Sequence, residues 1–479
     1  MIKTSGMGDE QAMRVELRSR RRPCVSPTQS RLAWPLVGAW LLLACNPRLD
    51  EPWCSDQAPA ATRSALTPKP SYHQDVQPIV EGRCLTCHAE GGIAPFRLDR
   101  FEDVLALRTA IAESVKARTM PPFQAAPCCT EYYRQWSLSA EEIQVLEEWA
   151  QNPLEGIKGT PGRILPPAGG LSRVDVTLKM DEPYRIRPKP GRFDDFRCFI
   201  LDWPIGGQVF ITGLNPVPGN RRVVHHLIVA ALSGDAVRQA TALDEKDPRP
   251  GYDCQSGLGE LSLKDLTVFG GSLIGSDFPD NLGRPVNAGS KILLNVHYTT
   301  ETVGESATDE ELTDQSSIQF RVDATAHDFE GLVIANPAWL IDDGMKIEAG
   351  ESNKAFWFRY QPTVFTRGKS VWLRSVTPHM HNFGKRFRIH RIRDGQSECL
   401  LEIANWEFGW EQTYWFKEPK KLNGDDQLYI ECVFDNSAEN QSGGPHSPSE
   451  QAMHPPRDIG WGTDGQDMCA GFLNYTREL

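Results

Sequence analysis

The chain has 479 residues, 40% hydrophobic and 24% charged, with a formal net charge of -12. Such a length predicts more than one domain with packed cores, and the acidic balance excludes a basic footprint for nucleic acid. Forty Gly and 35 Pro suit short strands and many turns better than long helices.

The first 45 residues read as a signal peptide. Arg18, Arg20, Arg21 and Arg22 precede the apolar run Leu32–Ala44, which is too short to span a bilayer comfortably and fits a signal h-region. The long charged stretch before it makes Met13 a candidate start. The run ends in Leu42-Leu43-Ala44-Cys45, which resembles a bacterial lipoprotein cleavage box and would place lipid on Cys45. A plain signal peptide is the alternative. No later segment is apolar enough to cross a membrane. The expected location is therefore exported, periplasmic or cell-envelope, with membrane attachment only through lipid on Cys45. An oxidising compartment permits disulfides among the 12 cysteines, of which Cys24 leaves with the signal.

Residues 46–70 read as a tether, rich in Ala, Ser, Thr and Pro from Ser55 onward. Helical spacing follows. Val104, Leu107, Ile111 and Val115 share one face, and Ser139-Ala140-Glu141-Glu142 is a capping box opening a helix with Ile143, Leu146 and Trp149. Within this stretch lies Cys84-Leu85-Thr86-Cys87-His88. Two cysteines at this spacing add to the haem vinyl groups as thioethers, and the adjacent histidine ligates the iron. A dithiol pair or half a zinc site are the alternatives, but Cys128-Cys129 has the wrong spacing to complete a zinc site. Met120, in Thr119-Met120-Pro121-Pro122, is the candidate sixth ligand. A merely buried methionine is the alternative, and His73 ranks below it as a ligand. Residues 71–155 thus resemble a class I cytochrome c, and a small all-α haem domain is expected. Residues 156–172, rich in Gly and Pro, read as a linker.

After Leu171 short β-rich runs appear, among them Gln208–Leu214, Lys291–Tyr298, Phe356–Tyr360 and Gln427–Phe434. Asp394-Gly395 is a hairpin-type turn, with Cys399–Ile403 as a returning strand. The pattern predicts all-β sandwiches. The stretch is long for one, so it divides near Ala326 into 173–326 and 327–479. Asp435–Gly460 is polar and reads as a long surface loop.

Six of the 11 histidines fall in His88 and two further groups. His379 and His381 sit at i and i+2, so on a strand they share a face and can grip one metal. Met468, in Asp467-Met468-Cys469, offers a thioether, which suits Cu(I) and not zinc. The first group is His225-His226 with His297. Adjacent residues on a regular strand face opposite ways, so His225 and His226 can share a metal only at a strand end or a bulge.

Together these motifs resemble the copper type II, ascorbate-dependent monooxygenases, the family of peptidylglycine alpha-hydroxylating and dopamine beta-monooxygenases. Val224-His225-His226 and Val296-His297-Tyr298 are similar to its electron-transfer copper site. His379-Met380-His381-Asn382-Phe383-Gly384 and Asp467-Met468-Cys469 are similar to its oxygen-binding copper site. The resemblance implies two jelly-roll-like sandwich domains, each with one copper, facing across a solvent-filled cleft. It implies O2 at the methionine copper, hydroxylation of an aliphatic C–H bond, and a second electron from the histidine copper. Disulfides Cys432–Cys469 and Cys198–Cys254 follow from it too; Cys54, Cys128, Cys129 and Cys399 are left unpaired. The family's two contacts to a substrate carboxylate fall here on Phe472 and Thr377, which speaks against a peptide ending in glycine.

The whole chain is thus expected to be multidomain: a small all-α cytochrome c-like domain followed by two all-β jelly-roll-like sandwich domains. The expected function is an exported copper monooxygenase with two copper ions, a covalently bound haem c as electron donor, and an unidentified small-molecule substrate. The catalytic residues would be His379, His381 and Met468, and an external reductant or redox partner would supply electrons. The alternative is a surface haem/copper electron carrier, or a copper-binding protein, without oxygenase activity.

Overall fold

Strands dominate the chain from Val176 to Thr476, several of them, such as Lys291–Thr299 and Gln427–Phe434, buried along nearly their whole length. A computed structural model describes residues 48–57, 65–90, 94, 96–122, 125–133, 137–159, 170–189, 194–254, 261, 266–271, 275–300, 303, 307–340, 344–408, 411–441, 457–462 and 466–478. The expected signal peptide, the lipobox-like stretch ending at Cys45 and most of the expected second linker lie outside these residues.

Among the described residues the strands form four principal sheets. A five-stranded antiparallel sheet has the order Tyr252–Asp253, Asp194–Asp202, Lys291–Thr299, Val224–Leu232 and Leu266–Gly271. Against it lies a six-stranded sheet built on Val176–Lys179, Ser317–Asp323, Val209–Val217 and Leu282–Val286. One apolar core, including Ile211, Leu227, Val229, Ile292, Val296 and Phe320, draws on both sheets. The third sheet runs Glu330–Ala335, Ala470–Thr476, Val371–His379 and Tyr414–Leu422. The fourth runs Lys354–Tyr360, Gln427–Phe434, Gly384–Arg393 and Gln396–Ile403. These two share a second core that includes Leu373, Val376, Phe387, Ile389, Ile430 and Leu473. Face-to-face burial of this kind is how a sheet hides its apolar side.

The expected multidomain division is corrected. Leu49–Leu479 is one compact unit by its contacts; it is mostly β, and no separate small all-α domain is evident. Helices are present at Gln77–Arg83, Phe101–Lys116 and Ala140–Gln151 and pack around Val76, Ile79, Val104, Leu146 and Trp149. The segment is nonetheless stitched into the sheets. Ala125 bridges to Ile403 and Tyr132 to Phe416, the Tyr132 hydroxyl donates to the Leu400 carbonyl at 2.6 Å, and Cys129 is disulfide-bonded to Cys399. Nor are the β halves independent. Trp415, from the Tyr414–Leu422 strand, is buried in the first core against Phe278 and Phe329. Long-range contacts of this sort leave no trace in local sequence patterns.

Local signals translate more directly. The capping box forms: the Glu142 N–H donates to Ser139 Oγ at 3.1 Å, and the Ser139 N–H donates to Glu142 Oε2 at 2.7 Å. Asp394 and Gly395 take the positive φ values of 49° and 77° that a tight hairpin needs. The polar stretch from Asp435 opens with one helical turn, Ala438–Gln441; 442–456 lie outside the described residues.

Residues 49–57, expected inside a tether, are docked on the fourth sheet. The Trp53 ring lies under the guanidinium groups of Arg386 and Arg388, at 4.0 and 4.8 Å. Arg388 is buried, paired with the buried Glu431 at 2.6 Å, and donates to the Glu51 carbonyl. Glu402 accepts from the Cys54 N–H at 2.8 Å. A buried charge needs such partners to be tolerated.

Among the described residues there are four disulfides: Cys54–Cys128, Cys129–Cys399, Cys198–Cys254 and Cys432–Cys469. The last two are the pairings expected from the resemblance. The first two join the four cysteines left unassigned. Cys84 and Cys87 are free. No helix of the described residues is long and apolar enough to cross a membrane.

Candidate metal centre

The first histidine group lies in the middle of the five-stranded sheet. His297 pairs with His226 across adjacent strands, and the next pair is Tyr298 with Val224. His225 is therefore the extra residue of a β-bulge. A bulge turns both neighbouring histidines towards one side, as two adjacent residues must turn to share a ligand. The three residues each offer a ligand atom within 4.8 Å of the others.

Their hydrogen bonds decide which nitrogens are free. His297 Nε2 is held by Asp194 Oδ1 at 3.0 Å. Its Nδ1 faces His225 Nδ1 at 3.2 Å. His226 Nδ1 is buried and has no hydrogen-bond partner among the described residues. An orphaned buried imidazole nitrogen is costly unless something else satisfies it. Burial, reinforced by the neighbouring His297, pushes His225 down to about 3 and His226 well below the ordinary histidine value. Both are therefore neutral, the form that ligates metal. Asp194 is half-buried, which raises its carboxyl, yet the charge and hydrogen bond of His297 outweigh this and keep it below the usual range. Phe196 stacks on the His297 ring at 4.2 Å.

The second group is assembled at the end of an inner strand of a different sheet. His379 ends the strand Val371–His379 and pairs with Ala470. The Asp467-Met468-Cys469 segment lies just before that partner strand. Met468 is half-buried, and its neighbour Cys469 is pinned by the disulfide to Cys432. Asp467 accepts from the backbone N–H groups of His381, Phe383 and Met468 at 2.7, 2.9 and 2.7 Å. Burial pushes its carboxyl up to about 7 despite these donors. The His379 and His381 rings are 5.1 Å apart.

Again one nitrogen of each ring is committed. His379 Nδ1 contacts Glu411 Oε2 at 2.8 Å, and His381 Nδ1 contacts the Gln466 carbonyl at 3.1 Å. The Nε2 atoms are left for a ligand. Burial and the charge of His379 push His381 down to about 3. Burial also acts against protonated His379, but Glu411 outweighs it and the net shift is upward. Of the two positions expected to grip a substrate carboxylate in the family, Thr377 bonds the Thr413 hydroxyl at 2.7 Å and Phe472 lies 5.7 Å from the His379 ring.

The third expected site lies on the helical segment. Leu85–His88 forms one helical turn. Burial raises the Cys84 and Cys87 thiols to about 12. His88 is buried, and its Nδ1 contacts the Phe96 carbonyl at 3.1 Å. Met120 is 40% exposed, and its backbone N–H reaches the Ser114 carbonyl. His73, the other candidate, is engaged with Gln77 at 2.7 Å and Glu155 at 3.5 Å. Arg221 Nη1 donates to the Thr86 carbonyl at 3.5 Å. That contact ties the Cys84–His88 turn to the residues leading into His225.

Sequence reasoning missed Asp194, Glu411, the Gln466 carbonyl and Arg221. Each is remote in sequence from the histidine or turn it touches, and none belongs to a spaced motif.

No family model matches the chain, and no curated protein does. Among solved structures, it is similar to an allantoicase at 10% identity, covering 50% of this chain and 78% of that one with a TM-score of 0.14. A xanthan lyase of Paenibacillus has 11% identity, 63% and 25% coverage and a TM-score of 0.12. A structure of infectious bursal disease virus, Gx strain, has 10% identity, 64% and 80% coverage and a TM-score of 0.14. At such scores these similarities assign neither fold nor activity.

Proposed function

We propose that this chain is an exported copper-dependent monooxygenase that hydroxylates an aliphatic C–H bond of a small molecule with O2, and that it carries a c-type haem. The carrying observation is the pattern of committed and free nitrogens. His297, His379 and His381 each have one ring nitrogen held by a protein acceptor, and the buried His226 Nδ1 lacks any hydrogen-bond partner among the described residues. Metal-ligating histidines are oriented in this way.

His225, His226 and His297 would hold one copper with imidazoles alone. His379, His381 and Met468 would hold the other, the thioether favouring Cu(I). Cys84 and Cys87, the free cysteines of the described residues, would carry the haem, with His88 Nε2 left for iron because Nδ1 is occupied. Bound in these places, the metals supply one-electron storage and O2 activation, which suits a reaction consuming O2, two electrons and two protons. The protein's own contribution is orientation and charge. Asp194 and Glu411 fix ring tautomers, and burial keeps His225, His226 and His381 neutral. Thr377 and Phe472 offer no cation to a substrate carboxylate. The four disulfides fit an oxidising, exported setting, with Cys45 as the site of a lipid anchor. The Arg221–Thr86 contact supports electron supply within the chain, alongside an external reductant.

The test is oxygen uptake by copper-loaded, reduced protein supplied with a metabolite extract. Uptake matched by a hydroxylated product, and lost in Met468→Ala, is expected. Copper binding and electron transfer with no product would leave an electron carrier. Haem should survive acid-acetone extraction of the denatured chain and disappear in Cys84→Ala/Cys87→Ala.

A further inference from the structure

Phe408 follows the strand Gln396–Ile403 in a short segment that serves the second histidine group from several sides. Trp406 Nε1 donates to the His381 carbonyl at 3.0 Å. Glu411 holds His379. Between them, the Phe408 ring lies 5.3 Å from the His381 ring. The same phenyl ring also lies 5.7 Å from His297, 6.0 Å from His226 and 6.3 Å from His225. The five-stranded sheet and the third sheet thus present their imidazoles to one shared side chain. The His297 and His381 rings can be no further apart than the sum of their two distances to it.

A phenyl ring in this position has two physical effects. It is rigid, so it fixes the separation of what it touches. It also replaces water with a low-dielectric body, which strengthens every electrostatic interaction around it. The resemblance implies a solvent-filled cleft between the two copper sites. The ring contacts describe something different.

We propose that Phe408 is a positioning residue that joins the two histidine groups into one site, holding them at a fixed spacing. This rests on the copper reading above, and two measurements separate its failure from the failure of that reading. The first needs no metal. In the full metal-free chain labelled with 13C in its histidine rings, Phe408→Leu removes the aromatic ring current while keeping apolar volume. Ring-CH resonances from both groups should shift together, assigned through His225→Asn and His379→Asn. A shift confined to one group would overturn the proposal.

The second measurement uses the chain loaded with Cu(II). Dipolar EPR should give one narrow copper–copper distance in the natural protein. Phe408→Ala should broaden that distribution with both coppers retained, and Phe408→Tyr should restore it. An unchanged distribution in Phe408→Ala would refute the positioning role. Fewer than two coppers with a positive NMR result would refute the copper assignment alone. If Phe408→Ala does not fold, Phe408→Leu takes its place: broadening supports the role of the aromatic ring, and an unchanged narrow distance overturns it.

Discussion

The two histidine groups reach similar chemistry by different construction. The first is made inside a single sheet: two adjacent strands, one bulge, and a carboxylate, Asp194, from the strand on the other side of His297. The second is made at a strand end, from His379, the residues just beyond it, and a segment entering from the neighbouring strand. His297 is paired on both sides, to Phe196 and to His226, whereas a strand end relies on side-chain clamps such as Asp467 and a disulfide. The first group should therefore be pre-formed and rigid. The second should depend on its covalent and hydrogen-bonded supports.

The largest effect expected is the loss of one whole metal equivalent. His297→Ala should reduce bound copper from two per chain to one, leaving the thioether signature of Met468 in X-ray absorption. Met468→Ala should remove that signature and spare the other ion. Loss of both ions from either variant would break the distinction between the groups.

Next comes pH. His225 and His381 are depressed to about 3, against an ordinary 6.5. The unfolded chain therefore binds more protons than the folded one between those values. Their contribution to stability is complete above 6.5 and is lost as pH falls towards 3. His379 is shifted the other way, so its contribution is present at low pH and fades as pH rises through its raised value. Urea unfolding of the metal-free chain should show His225→Asn flattening the acid limb below pH 6.5, and His379→Asn removing a fall in stability above pH 6.5. The same slope in both variants would contradict the assigned environments.

A smaller effect separates the supports. Removing the Cys432–Cys469 disulfide should cost about 2–4 kcal/mol and weaken copper at the second group more than at the first, read by thermal melting and competition titration. Equal weakening would count against a disulfide-dependent second group. The smallest effects belong to the orienting carboxylates. Asp194→Asn should lower affinity at the first group, and Glu411→Gln at the second, each by about 10–100-fold. Cross-effects of equal size would mean that the two groups respond as one.

Legibility in the sequence followed the range of the interaction. The i, i+2 spacing of His379 and His381 and the demand for a bulge at His225-His226 are local, and both could be read from a few residues. The Ser139 capping box, the Asp394-Gly395 turn and the strand Gln427–Phe434 were legible for the same reason. Asp194, Glu411 and Phe408 were not, because each meets its histidines only after sheets fold together. The separate helical domain failed for a related cause. A good helical pattern in Phe101–Lys116 says nothing about Tyr132 reaching Leu400 or Trp415 entering the other core.

The adjacent cysteines Cys128 and Cys129 bond in opposite directions, one to Cys54 and one to Cys399. A single dipeptide thereby welds three stretches of backbone: the N-terminal strap, the helical segment and a strand of the fourth sheet. The covalent graph of the molecule is consequently a network of closed rings and not a string. A protease site inserted within 160–169 would cut the peptide chain there, yet the two fragments would migrate as one band on a gel without reductant. Only with thiol added would the helical segment part from the sheets.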